Sequence, residues 1–312
     1  MAILTRQHIY RTGRDADLPA LQALGLAGTP AGHPLTVLDR KTRKVCGGVW
    51  REIVVDENHR YQGEQLTVLA GSAHDAALFQ RDVRRAQPQP TGSVAPETQA
   101  LADVAMQAFR NAFPAATLRS FSLQLPTGNG CQLLLRADAL PSGLLLTAGM
   151  APMQPMLPAG PMLRTLLPLR LWRYADNAAE VTAFAADALR LHAPLADADK
   201  KALTAARTAR QKQFLQCISD ELLPLGFRKK GMRWTHHVAE DASIVLEVVR
   251  HRFGDQLLFD LYAERSGKPV GVPLRMEQEL DWQQLSPEDV RDLMQLWVTE
   301  DMLPLIDQMK GE

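Results

Sequence analysis

The chain has 312 residues, 46% of them hydrophobic, with 35 basic and 35 acidic side chains. That length holds two or three domains with ordinary cores, and a net charge of zero excludes a molecule drawn as a whole to nucleic acid or to a lipid surface. Cys46, Cys131 and Cys217 show no C-x-x-C spacing, which speaks against a disulfide framework or a structural zinc and for a reducing cytoplasm.

The first stretch, "MAILTRQHIYRTGRD", carries charges where a secretory peptide needs an apolar run. In residues 1–93 strands are predicted at "HPLTVLDR", "VCGGVWREIVVD" and "EQLTVLAG", with "DENH" as a turn and a helix near "AHDAALFQRDVRRA". This part reads either as a small α+β domain of its own or as a degenerate copy of the module that residues 94–203 and 204–312 share. "RRAQPQPTGSVAPET" (84–98) then reads as a loop.

In 94–203 a helix is predicted on Leu101, Val104, Ala105, Ala108 and Ala112, ending at Phe113-Pro114. Strands come next at "LRSFSLQL", "CQLLLRADA" and "GLLLTAG", around the turn "PTGNG", and a last helix shows Val181, Phe184, Ala185, Ala188 and Leu189. The longest uncharged run, 139–163, holds five prolines, which would break a membrane-spanning helix. "LADADKKALTAARTARQK" (195–212) reads as a helical connector.

Residues 204–312 repeat this order. A helix carries Phe214, Leu215, Ile218, Leu222 and Leu225, and Pro224 with Gly226 ends it. "MRWTHHVAE", "SIVLEVVRH" and "QLLFDLYAE" are strand-like, the last two joined through "RFGD" as a hairpin. Ser286 is a predicted N-cap with Pro287 at the first helical position, followed by Glu288, Asp289 and a stripe of Val290, Leu293, Met294, Trp297 and Val298. Pro114 with Pro224, Trp172 with Trp282, and "PLADADK" with "PLIDQMK" coincide at an offset of 110 residues. The fold expected is therefore α+β: two tandem modules of helix, antiparallel sheet and helix after a smaller N-terminal α+β domain.

The densest group of functional side chains is "PLGFRKKGMRWTHH". Arg228, Lys229, Lys230 and Arg233 lie where a helix turns into a strand, beside Phe227 and Trp234, a mixture that suits a partner protein or, alternatively, nucleic acid. Edge strands also carry such charges to discourage pairing, with the tryptophan then in the core. The matching turn of the middle part, "PAATLRSFS", has one arginine. Between Glu277 and Glu312 ten acidic residues face two basic ones, and Glu277, Glu279 and Asp281 form an acidic surface fit to steer a basic partner. In "MAPMQPM", Met150, Met153 and Met156 could hold copper(I), but a proline-rich apolar contact loop is the better reading. His237 with Glu240 and His251 with Asp255 lack the helix that a zincin needs, and His236 and His237 point to opposite faces of a strand. Cys46 has Lys41, Arg43 and Lys44 nearby, which could lower its pKa. No phosphate-binding or nucleophile-elbow motif is present in the sequence.

Leu225 to Gly231 followed by Trp234, after a helix and before hydrophobic strands and an amphipathic helix, resembles an uncharacterised bacterial domain family with the pattern L-G-F-x-K-K-G and then an aromatic. The likeness spans about 210–310 and implies no catalytic residue; some members are suspected immunity proteins encoded near secreted toxins. The function expected is a non-enzymatic cytoplasmic protein that binds a protein partner, in its most concrete form a toxin, with no cofactor and no metal. The alternatives are nucleic-acid binding through 228–234 and an enzyme without a recognisable motif.

Overall fold

In the computed structural model the described residues are 3–27, 34–86, 92–119, 121–153, 167–250, 257–280 and 282–311. Three five-stranded antiparallel sheets account for the strands, and in each the order across the sheet follows the order along the chain. Such meanders need only short connections, which suits the frequent turn residues. The chain divides into two compact units, Met1–Pro90 and Thr91–Glu312. Among the described residues, no helix is long and apolar enough to cross a membrane.

The first unit holds β1 (Ile3–Leu4), β2 (His8–Thr12), β3 (Leu35–Asp39), β4 (Val45–Val55) and β5 (Tyr61–Ala70), with α1 (Leu18–Ala23) between β2 and β3 and α2 (Ala73–Arg85) after β5. Tyr10, Val37, Val49, Phe79 and Val83 form its core. A Cβ on Gly47 would lie 2.5 Å from the Phe79 ring, so α2 packs where only glycine fits. Beside the core, buried Asp17 accepts two bonds of 2.7 Å from the Arg11 guanidinium and one of 2.9 Å from Thr36 Oγ1. The strands β3, β4 and β5 and the helix α2 lie where the sequence predicts them; β1, β2 and α1 are additions.

The second unit contains two such modules. One runs α3 (Pro96–Ala112), β6 (Thr117–Arg119), β7 (Ser122–Pro126), β8 (Cys131–Leu140), β9 (Gly143–Pro152), β10 (Leu169–Ala175) and α4 (Ala178–His192). The other runs α5 (Lys200–Leu222), β11 (Arg228–Lys230), β12 (Arg233–His237), β13 (Ala242–Arg250), β14 (Leu257–Arg265), β15 (Lys268–Leu280) and α6 (Pro287–Trp297), then a π-turn and α7 (Leu303–Gly311). Ser286 caps α6 as predicted, accepting from the amide of Asp289 at 3.1 Å.

Helix, meander, helix is thus the order in both, but several details differ from expectation. "LRSFSLQL" is two strands, and β10, β11 and β15 were not read from the sequence. The first three strands start 111 residues apart: Thr117 and Arg228, Ser122 and Arg233, Cys131 and Ala242. Beyond them the correspondence drifts, because 153–168 separates β9 from β10, whereas Ser266 and Gly267 alone, both at positive φ, separate β14 from β15. Trp172 therefore lies within β10 while Trp282 follows β15, and Pro194 lies in a 3-10 turn while Pro304 is in α7. The two tryptophans are therefore not structural equivalents, whereas the two prolines both lie in the helical segment that closes their module. The hairpin "RFGD" lies outside the described residues.

Residues 203 and 204 both fall inside α5, a helix of 23 residues whose N-cap Asp199 accepts from the amide of Ala202 at 2.7 Å. Leu203 and Ala206 join the core of the middle module, whereas Phe214, Ile218 and Leu222 are buried further along. One continuous helix serves both sheets. Exposure of Val104, Leu189 and Leu225 corrects three predicted core positions; the buried stripes instead use Ala102, Ala105 and Phe109 on α3 and extend to His192 on α4.

Between the modules lies a polar junction. Gln283, fully buried, accepts from the amide of Arg170 at 3.0 Å; Gln284 accepts from the amide of Trp172 at 2.7 Å. Arg210 of α5 donates to the Gln283 carbonyl at 2.6 Å. Next to it His192 is buried with neither ring nitrogen hydrogen-bonded, and burial, with the Arg210 charge, pushes its pKa down to about 3. The folded chain thus keeps this imidazole neutral where the unfolded chain takes up a proton near pH 6.5. Unfolding by urea from about pH 7 down to about 4.5 should show stability falling by up to about 1.4 kcal/mol per pH unit below pH 6.5, a slope that His192→Leu removes. An unchanged slope in that variant would place its origin elsewhere.

Candidate surface on the edge hairpin of the third sheet

The hairpin β11–β12 follows α5 directly. A 3-10 turn, Leu223–Leu225, ends the helix, and Gly226 takes φ +86, the left-handed conformation in which a side chain is strained. Phe227 is then buried with its ring centre 5.2 Å from that of His236. Gly231, at φ +65, opens the two-residue turn that pairs Lys230 with Arg233, Lys229 with Trp234 and Arg228 with Thr235.

Strand alternation sorts the cations. Lys229 and Trp234 share the side that meets α5. The ammonium of Lys229 donates to Ser219 Oγ at 2.9 Å and lies 5.0 Å from the centre of the Trp234 ring, whose indole nitrogen donates to the same oxygen at 3.2 Å. Trp234 is fully buried. On the other side Arg233 is bonded to Glu264 at 2.5 Å. Tyr262 donates to Glu247 at 2.9 Å, and burial together with that bond raises its hydroxyl to about 12.

Arg228 and Lys230 remain. Both are exposed, both lie on the face away from α5, and neither side chain has a hydrogen bond or ion pair among the described residues. The corresponding strand of the middle module, Thr117-Leu118-Arg119, is exposed over its whole length as well, with one cation in place of three. Neighbouring Phe121 is 80% exposed.

Of the candidates read from the sequence, the structure therefore leaves the Arg228 and Lys230 side chains exposed and without a partner among the described residues, and ties Arg233 to Glu264. Trp234 is corrected from a contact residue to a packing residue, because the pleat turns it onto the helix, whereas Lys229 on the same side is held by Ser219 and stays exposed. A buried indole cannot stack on a base, which removes the aromatic from the nucleic-acid alternative. Met150 is also corrected: it is fully buried in β9, not part of an exposed loop, whereas Met153 is 54% exposed. Met156, Asp281, His251 and Asp255 lie outside the described residues, as do the side chains of Glu277 and Glu279, although those two residues belong to β15.

The remaining candidates are polar groups within the fold. His237 is exposed and its Nδ1 lies 2.9 Å from Ser243 Oγ; among the described residues no three metal-binding side chains converge. Cys46 runs against its expectation. Burial, with Asp39 and Asp75 adding negative charge, raises its thiol to about 11. A surface not read from the sequence is an open groove of about 950 Å³ beside the first turns of α5, with Lys200, Lys201 and Lys212 among its lining residues. Its three lysines are visible in the sequence, but their common face depends on the connector being one uninterrupted helix.

A scan against protein-family models finds no match to this chain, and searches of curated proteins and of solved structures find none.

The hairpin separates packing from surface in a measurable way. Trp234→Ala should lower unfolding free energy by about 3–5 kcal/mol, whereas Arg228→Ala with Lys230→Ala should change it by about 0.5 kcal/mol or less. Denaturant titration of both variants checks this; equal losses would contradict the assignment of the two sides.

Proposed function

We propose that the chain is a protein-binding protein whose contact surface is built on the edge strand β11, in its most concrete form an immunity protein that neutralises a toxin by binding it. The observation that carries this reading is the exposed pair of side chains Arg228 and Lys230, which has no partner among the described residues. The middle module builds the same strand with Thr117 at the position of Arg228 and Arg119 at that of Lys230, so the pair as such is not a requirement of the architecture. Lysine and arginine on an edge also oppose indiscriminate strand pairing, which favours a partner that answers the charges with carboxylates. The likeness of Leu225 to Gly231 and Trp234 to a domain family with suspected immunity members supports the toxin as the partner. A fixed cationic pair beside the Arg233–Glu264 and Tyr262–Glu247 bonds would steer an acidic surface onto the sheet edge and set its register.

The test is affinity capture in nuclease-treated lysate of the cells that naturally carry the chain, with mass spectrometry of retained proteins. The wild type should hold one protein in stoichiometric amount, and Arg228→Glu with Lys230→Glu should lose it while unfolding at the same denaturant concentration. Retention of the same protein by both would remove this surface from the function. A captured protein that stops cell growth when expressed alone, and not when co-expressed with this chain, would establish the toxin form of the reading.

A further inference from the structure

The groove beside α5 is lined by that helix and by Asn129 of the turn from β7 to β8. Two contacts fix the turn there. The amide of Gly128 donates to the Ala196 carbonyl at 3.0 Å, and a Cβ on Gly128 would lie 2.6 Å from the Asp197 carbonyl oxygen, so only glycine allows this approach. Asn129, at φ +44, then stands exposed at the rim, and its side chain has no hydrogen bond among the described residues. Along the helix, Lys200, Thr204, Thr208 and Lys212 recur at every fourth position and form one row, with Lys201, Ala205 and Ala209 forming the next. At 1.5 Å per residue the row from Lys200 to Lys212 is about 18 Å long.

Charge along this track has one sign. From Lys200 to Ser219 the helix has no acidic residue, in a chain whose acidic and basic totals are equal. Elsewhere cations are answered by carboxylates, as Arg11 is by Asp17, Arg136 by Asp138 and Arg173 by Asp187. Lys200, Lys201 and Lys212 are exposed, and their side chains have no ion pair or hydrogen bond among the described residues. Asp199, the carboxylate among the described lining residues, is engaged as the N-cap and accepts from the amide of Ala202 at 2.7 Å. Thr204 and Thr208 donate their hydroxyl protons to the carbonyls of Lys200 and Thr204, each at 2.8 Å. The groove therefore offers a ligand three ammonium groups, the Asn129 amide and, between them, methyl groups.

We infer that this groove holds the sugar–phosphate backbone of a single nucleic-acid strand without reading its bases. A cationic track about 18 Å long suits a polymer that carries an anionic charge at every nucleotide, since each ammonium that meets a phosphate releases a condensed counterion. The Asn129 amide adds a phosphate donor of the kind that fixes position and carries no sequence information. No aromatic side chain is among the described lining residues, so bases are not held by stacking and contact runs through phosphate. The same composition argues against a protein partner. Interfaces between proteins are enriched in aromatic residues, methionine and arginine and depleted in lysine and alanine, the types that with threonine make up most of this lining. Concavity argues against a lipid surface, which presents no ridge to enter a groove. The site is separate from the edge strand β11 and does not depend on the role proposed for that strand.

The experiment is fluorescence anisotropy of the full chain with a labelled oligo-dT of about 12 nucleotides, a length within the range that strand-binding folds cover. With three phosphates neutralised, affinity should fall about 20-fold between about 50 and 200 mM salt, a slope of about −2 on logarithmic axes, and oligo-dC should bind equally. Each of Lys200→Gln, Lys201→Gln and Lys212→Gln should make the slope shallower by about 0.7, and the triple variant should lose binding. Lys41→Gln with Lys44→Gln, which removes two exposed lysines of the first unit, should leave it unchanged. Circular dichroism of each variant separates loss of binding from loss of fold. Four results would overturn the inference: no binding at about 50 mM salt, binding that survives in the triple variant, loss of binding in Arg228→Gln with Lys230→Gln, or tighter binding of poly-L-glutamate than of oligo-dT at equal charge concentration. The last would assign the groove to an acidic protein.

Discussion

Two amides on the edge of β10 find their acceptors 113 and 112 residues further along the chain, in the side chains of Gln283 and Gln284. This contact closes an edge that would otherwise be open, and it fixes the turn after β15 against the middle module. Gln283 is fully buried, so its amide must be satisfied for the turn to exist at all. The Gln283 carbonyl receives Arg210 from the middle of α5. Strand edge, turn and shared helix thus meet at one point, and the two sheets of the second unit take their mutual placement from it. His192 belongs to the same junction and contributes the opposite property: a buried imidazole with unsatisfied nitrogens, tolerated only while neutral.

Management of strand edges is the constraint that recurs through the molecule. Meander sheets have two free edges each, and each must be shortened, charged, capped, interrupted or paired. Here the devices differ from sheet to sheet although strand order does not. The basic edge at β11 discourages casual pairing and, in the proposed reading, offers two cations to a partner. That edge lies outside the cores, so it can vary without altering the packing of Phe79, Phe109 or Phe259.

The two modules of the second unit show how much of the hairpin is scaffold. In both, a helix ends, a short edge strand comes next and the chain returns as the second strand of the meander. In the third sheet this turn gained three successive cations and a buried tryptophan. Lys229, Trp234 and Ser219 form a packed group on the helix side, and the pleat consequently turns Arg228 and Lys230 outward. One anchored residue between two free ones is the physical basis of the proposed contact surface. Fixing the middle side chain orders the strand that carries the other two.

Much of this organisation is legible in the sequence, because it depends on local physics. The alternation in "LTVLDR" and "SIVLEVVR", the cap Ser286-Pro287 and the helix end at Pro224-Gly226 each specify their own element. Repetition of helix, meander and helix was legible for the same reason. What the sequence could not determine is which strands stand at an edge, and hence which polar side chains are free. Arg228, Lys229 and Lys230 are equivalent as letters; pairing with β12 and packing on α5 separate them. Gln283 and Gln284 look like solvent-facing residues until β10, a strand lacking any clear alternating signal, comes beside them. Spacing at 110 residues misled for Trp172 and Trp282, since loops of unequal length had restored a numerical match without a spatial one. Local patterns therefore determined the elements, and only tertiary structure, by bringing distant edges and helices together, decided which residues are core, which are caps and which are available to a partner.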